Sequence, residues 1–235
     1  MKKSIGFILN FQAQECDDIV KYIHIQNNNA DDISNIHIEN GCCTDIDMED
    51  LYFKNTIFEN CTFINCSLKD CSFNNVKFHK CLFKNSNLSN GWYKQCSFEN
   101  SNFNNACLYQ TTTKYSNFNR SVFNNIIIND CDMSDTFFSD CSFKNTEIKE
   151  SKFVRTEFFQ TSLAGLDFSN SILESIIMSD NAKELSGAKI YIAAKRCQIR
   201  ISNIDKHFVI AGLNLYAIIF REVSTVGYAY CHGNL

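Results

Sequence analysis

Residues 61–85 read CTFIN CSLKD CSFNN VKFHK CLFKN, and this stretch decides the fold. A large apolar residue stands third in each group of five: Phe63, Leu68, Phe73, Phe78, Phe83. A small residue usually stands two places before it. Moving outward, the register runs without a slip from Cys43 to Met178, which is 28 units. Fifteen of the 28 centres are Phe, and most of the rest are Leu, Met or Ile, so this line is the core. At the position two before, 22 of the 28 are Gly, Ala, Ser, Thr or Cys, so most units send only one large side chain inward.

Residues two apart on an extended segment share a face. Centre and small residue therefore point inward, and the residues beside the centre point outward. The next inward residue comes three places on instead of two, so the chain turns between units. Asn, Asp, Gly and Gln crowd the fifth place, as corners with unusual backbone angles prefer. Short extended pieces with a turn in every unit wind into a coil.

The columns give the number of units per coil. Leu68, Leu88, Leu108, Ile128 and Ile148 form one column without Phe. Phe63, Phe83, Phe103, Phe123 and Phe143 form another, with Asn65, Asn85, Asn105, Asn125 and Asn145 at its corner. Phe53 and Phe73 open a third column. Chemistry repeats with every fourth unit, so four units close a square coil and 28 units make seven coils. At about 4.8 Å per coil the rod is roughly 34 Å long. The expected organisation is an N-terminal cap over 1–40, the repeat over 41–180, and a C-terminal cap or dimerisation segment over 181–235.

The ends read less clearly. Ile5 to Phe11 suits a strand, Glu15 to Ile25 a short helix, and Asn27 to Asp32 a turn. The opening MKKSIGFILNF is a poor signal peptide, because Ile5 to Leu9 is short and Asn10 interrupts it. After Met178 the register breaks, with Leu185 and Ile190 in a new phase. Cys197, Ile199 and Ile201 alternate, Phe208 to Phe220 is largely apolar, and Val226 to Tyr230 follows, so the tail reads as strands. Solenoid ends expose unpaired backbone and need such covers.

Composition narrows the function. A net charge of -4 is too mild for a nucleic-acid binder, and no apolar run is long enough for a membrane helix. Seven of the 13 cysteines (Cys61, Cys66, Cys71, Cys81, Cys96, Cys131, Cys141) occupy the small inward position. Stacked Cys61 and Cys81 fall within disulfide reach, and Cys61, Cys66 and Cys71 ring one coil. Free interchange with Ser, Thr and Ala marks them as core filler in a reducing cytoplasm, so neither a metal nor a cofactor is expected. His24, His37, His79, His207 and His232 stand at no recognisable spacing from a nucleophile or a carboxylate. No catalytic motif occurs, and an enzyme is not expected.

The outward charges do carry information. The face lined by Leu68, Leu88 and Leu108 bears Asp47, Glu49, Asp50, Asp70, Asp130, Glu147, Glu150 and Asp167 against Lys69 and Lys149, a net of -6. A field of that sign steers basic partners, although charged faces also serve solubility. Tyr109 lies on the same face, and Trp92, Tyr115, Phe137 and Phe159 are further outward or corner aromatics.

CTFIN, CSFEN, SNFNN and CSFKN resemble the pentapeptide-repeat family, over about 140 of the 235 residues. The resemblance implies an all-β, right-handed quadrilateral β-helix. Its quinolone-resistance members are rod-like dimers that engage DNA gyrase or topoisomerase IV through an acidic, DNA-like surface. By that analogy Asp50, Asp70, Asp130, Glu147, Glu150, Asp167 and Tyr109 become partner-binding candidates. LSGAKI at 185–190 is similar to the end of those members' last coil. Their C-terminal dimer helix and projecting loops have no counterpart here. A scaffold for an unrelated protein partner is the alternative.

Overall fold

The computed structural model describes residues 7–10, 32–163, 165–168, 170–174, 176–179, 189–192, 198–201, 209–212 and 217–220. The expected helix at 15–25, most of the turn at 27–32, and Leu185, Cys197, Phe208 and 226–230 lie outside them.

The chain is a right-handed quadrilateral β-helix of about seven regular coils. Every strand pairing is parallel, and from His37 to Ser179 partners along a column stand one full coil apart, as His37 does from Ile57 and Ile57 from Lys77. One face is an eleven-stranded ladder, and shorter ladders and single bridges form the other three. The corners explain the winding. The fifth residue of every unit from Asn35 to Gln160 has φ between 48° and 60°, and Gly165 has φ 73°. That left-handed region suits Asn, Asp and Gly and costs other side chains about 1–2 kcal/mol. Lys80, Tyr115 and Arg120 adopt it nonetheless, held by the coils on either side.

The corner asparagines also bond along the axis. Asn65 donates to Asp45 at 2.9 Å, Asn85 to Asn65 at 3.1 Å, and Asn105 to Asn85 at 3.1 Å. Asn125 then donates to Asn104, one position aside, and Asn145 to Asn125.

Inside, the centres Phe53, Phe63, Leu68, Phe83, Leu88, Phe103, Phe123 and Phe143 are all buried. Rings within a column stack at 4.6–5.1 Å, close to the coil spacing. Rings in adjacent columns mostly meet edge to face, as Phe78 and Phe83 do at 70°. The small position does more than leave room. Ser116 Oγ donates to the Tyr93 carbonyl and accepts from the Cys96 amide, both at 3.0 Å. Ser86 does the same with Phe63 and Cys66. These hydroxyls satisfy backbone groups of the preceding coil, and buried thiols such as Cys131 on the Leu108 carbonyl substitute as weak donors.

One column is interrupted. Tyr93 stacks on Phe73 at 4.7 Å, but Thr113 stands where the next ring would be. Gly91 occupies the small position beside Tyr93, where a Cβ would lie 2.6 Å from Tyr93 Cε2. The Tyr93 hydroxyl is buried without a hydrogen-bond partner. An orphaned buried hydroxyl costs about 1–3 kcal/mol. Tyr93→Phe should therefore raise stability by about 1–2 kcal/mol, read as a higher urea midpoint at unchanged slope.

The coil begins earlier and continues later than the periodicity alone indicates. Asp32–Ser34 and Ile36–Glu39 already pair with the next coil, placing Ile33 and Ile38 in the buried columns. Asp32 starts a strand instead of closing a turn. Phe7–Asn10 pairs with Ile36–Glu39, so the chain between them is longer than a regular coil. Toward the other end, Ile177 pairs with Arg200, a step longer than a regular coil, and Arg200 pairs with Ile219, a step slightly shorter. Lys189–Ile192 and Val209–Gly212 form a second tail ladder. Both ends thus keep parallel pairing, with steps of regular length between Lys189 and Val209 and of departing length at the other tail pairs and between Phe7 and Ile36.

Candidate protein-binding face

The face over Met48, Leu68, Leu88, Leu108, Ile128 and Ile148 carries three outward columns. Its corner column is Asp50, Asp70, Asn90, Gln110, Asp130 and Glu150. A second column runs Asp47, Ser67, Asn87, Cys107, Ile127 and Glu147, joined by successive bridges and strand pairs. The third is Glu49, Lys69, Ser89, Tyr109, Asn129 and Lys149.

Placed along the axis, the acids fall into two clusters. Asp47, Glu49, Asp50 and Asp70 sit toward the N-terminal end, and Asp130, Glu147, Glu150 and Asp167 toward the C-terminal end. The two coils between them carry no charge on this face. They present Cys107 and Tyr109, the latter at 42% exposure, and Ile127, 50% exposed, stands one coil further on beside Asp130. Asp70 and Asp130 are three coil steps apart, or about 14 Å. From Asp50 to Glu150 is five steps, about 24 Å, with four carboxylates on that corner line. One DNA strand carries a phosphate per about 3.4 Å, or roughly seven over the same length. The line has about half that density.

The local chemistry is that of a solvated surface. Lys69 lies 3.0 Å from Asp70, and Lys149 2.8 Å from Glu147. Exposed pairs of this kind contribute little. A hydrogen bond from the Asn90 amide, with Lys69 second, holds the Asp70 carboxyl below its usual range. Gln110 donates to Asp130 at 3.0 Å, and Ser67 to Glu49 at 2.6 Å. Of the other outward aromatics, Trp92 and Tyr115 are exposed, while Phe137 and Phe159 are half-buried.

The reading of the histidines changes, because the described ones do meet carboxylates. His79 Nδ1 lies 3.2 Å from Glu99, and His37 Nε2 3.1 Å from Glu59. Each partner lies about one coil further along the chain, and the winding puts the two side by side. Cys61, Cys66, Cys71, Cys81, Cys96, Cys131 and Cys141, at the inward position, are free thiols. Two cavities among the described residues lie inside the coil. Gly41, Phe53 and Phe63 help line one, and Tyr93, Phe103 and Thr113 the other.

A family model for pentapeptide repeats matches residues 46–85 and 81–112, in eight copies. Over residues 46–112 the chain carries pentapeptide repeats. Among solved structures, this pentapeptide-repeat protein is similar to trypsin-treated QnrB1, a plasmid-mediated fluoroquinolone resistance protein. The two are 12% identical, the alignment covers 79% of this chain and 90% of the other, and the TM-score is 0.53. At that identity the likeness is one of fold. HetL from Nostoc sp. strain PCC 7120, a pentapeptide repeat protein involved in heterocyst differentiation regulation, aligns at 12% identity. It covers 73% of this chain and 89% of its own, at a TM-score of 0.34. No curated protein matches the sequence. No helix among the described residues is long and apolar enough to cross a membrane.

Proposed function

We propose that this pentapeptide-repeat protein is a non-enzymatic binding module whose acidic face imitates DNA toward a type II topoisomerase, DNA gyrase or topoisomerase IV. The supporting observation is the arrangement of that face: two carboxylate clusters about 14 Å apart on a rigid rod, with Tyr109 exposed between them and Ile127 exposed beside Asp130. Basic ground on the partner would meet the clusters, and the aromatic and aliphatic side chains would anchor the centre. The half-density of charge fits steering and orientation more than tight ionic binding. By analogy with QnrB1, such binding would relieve quinolone action. Free thiols in the core suit a reducing cytoplasm. The C-terminal segment 181–235, whose last described strand is Ala217–Phe220, would pair a second copy, so the working form is a homodimer. Light scattering with and without residues 181–235 tests that pairing.

The activity test is inhibition of gyrase supercoiling and relief of quinolone-induced cleavage. Asp70→Lys, Asp130→Lys and Glu150→Lys together should abolish both. The corners tolerate lysine, since Lys80 already holds φ 53°. No effect of the unaltered protein at micromolar concentration refutes the topoisomerase reading. The second reading is a scaffold for an unrelated protein, favoured by the uncharged middle of the face. In that case charge reversal changes little, while Tyr109→Ala weakens capture of the partner.

A further inference from the structure

A different face carries a constellation that the acidic surface does not use. On the outer side of the eleven-stranded ladder, Glu39 pairs in register with Glu59, Glu59 with His79, and His79 with Glu99. Neighbouring strands lie about 4.8 Å apart, so the fold holds two carboxylates, Glu39 and Glu59, side by side. Like charges directly opposite each other destabilise a sheet. His37 stands two places before Glu39, on the same side of its strand. Its Nε2 lies 3.1 Å from Glu59 Oε2 and 3.6 Å from Glu39 Oε1. The three donor atoms all fall within 4.8 Å of one another. The side chains are 23%, 30% and 35% exposed, so they are reachable yet backed by the sheet.

We propose that His37, Glu39 and Glu59 form a binding site for a divalent first-row transition ion such as zinc. Bonds of about 2.0–2.2 Å to imidazole nitrogen and carboxylate oxygen place the donors about 3–4 Å apart, so only small side-chain shifts are needed. One imidazole with two carboxylates selects zinc, cobalt, nickel or copper over calcium and magnesium, which take oxygen ligands alone. Water completes the coordination. The ion offsets the paired carboxylates and joins Ile36–Glu39 to Ile57–Glu59, so it clips one coil to the next near the N-terminal end of the regular repeat.

The test uses the full, tag-free chain. Cobalt titration followed by visible absorption, and zinc titration by calorimetry, should each show one site per chain with ligand-field bands and no thiolate charge-transfer band. His37→Ala and Glu59→Gln, each with an unchanged circular dichroism spectrum, should weaken binding at least about tenfold. His79→Ala should change it less than about twofold. Affinity should fall on acidification, because protons compete for the ligands. Zinc should raise the melting temperature of the unaltered chain and leave that of Glu59→Gln unmoved. The assignment is overturned by absence of binding, by a thiolate band, by variants that bind as the parent does, or by loss on His79→Ala as complete as on His37→Ala.

Discussion

Replacing Phe98 by alanine is expected to lower the stability of the protein by about 3–5 kcal/mol, the upper range for a buried aromatic. Phe98 is 1% exposed at the middle of its column. It stacks on Phe78 at 4.7 Å and on Phe118 at 4.6 Å. It also meets Phe83, Phe103 and Tyr93 from the side, at 5.4–6.4 Å. Such ring pairs add about 0.5–1.5 kcal/mol each beyond the area they bury. The cavity cannot collapse, because the coils above and below are held apart by the hydrogen-bonded ladder. Urea unfolding followed by circular dichroism measures the loss. Phe98→Leu should recover roughly half of it, since volume returns without the ring contacts. A loss under about 1 kcal/mol for the alanine variant would mean that the stack contributes nothing specific.

That core was legible because inward positions repeat and carry one kind of chemistry. Phe at every fifth place marked the coil, and the aliphatic column Leu68, Leu88, Leu108 separated the four faces. What escaped lies where residues do not repeat. His37 and Glu59 are unrelated in the sequence and adjacent only because one coil of four units brings the chain back beside itself. The net charge of the acidic face was legible as a sum, but summing a column discards position along the axis. The uncharged stretch of Asn87, Cys107 and Tyr109 therefore emerges only in the folded rod. Ile33 and Ile38 lie in a coil whose opening residues carry less of the repeat's chemistry, although Asn35 and Asn40 at its corners were a usable signal. Toward the C-terminal end, the steps from Ile177 to Arg200 and from Arg200 to Ile219 differ in length and defeat any fixed period. The inward Ser, Thr and Cys read as filler because spacing cannot distinguish a small side chain from one that caps a carbonyl.

The same inward thiols make the fold sensitive to alkali. Burial pushes the thiols of Cys71, Cys96, Cys131 and Cys141 up from 9.0 to about 12. Below pH 9 each is protonated in both the folded and the unfolded chain, so their contribution is fully present. Between pH 9 and about 12 the unfolded chain releases these protons and the folded chain keeps them. The folded state then binds more protons, and its stability falls as pH rises, by about 1.4 kcal/mol per pH unit for each thiol. Four such thiols together remove roughly 5 kcal/mol per unit, against a total of about 5–15 kcal/mol for a domain. Cooperative unfolding is expected between about pH 10 and about pH 12. Urea midpoints measured at stepwise pH from about 8 upward follow the loss. Serine at all four positions should flatten the slope, because serine does not titrate there and Ser101, Ser116, Ser121 and Ser151 already fill equivalent positions with the same carbonyl bonds. Equal slopes for the parent and the serine variant would remove the thiols as the cause. Alkylation near neutral pH gives an independent reading. Exposed Cys107 should react before the four buried thiols, and those about a thousandfold more slowly than an ordinary thiol, in proportion to their thiolate fraction.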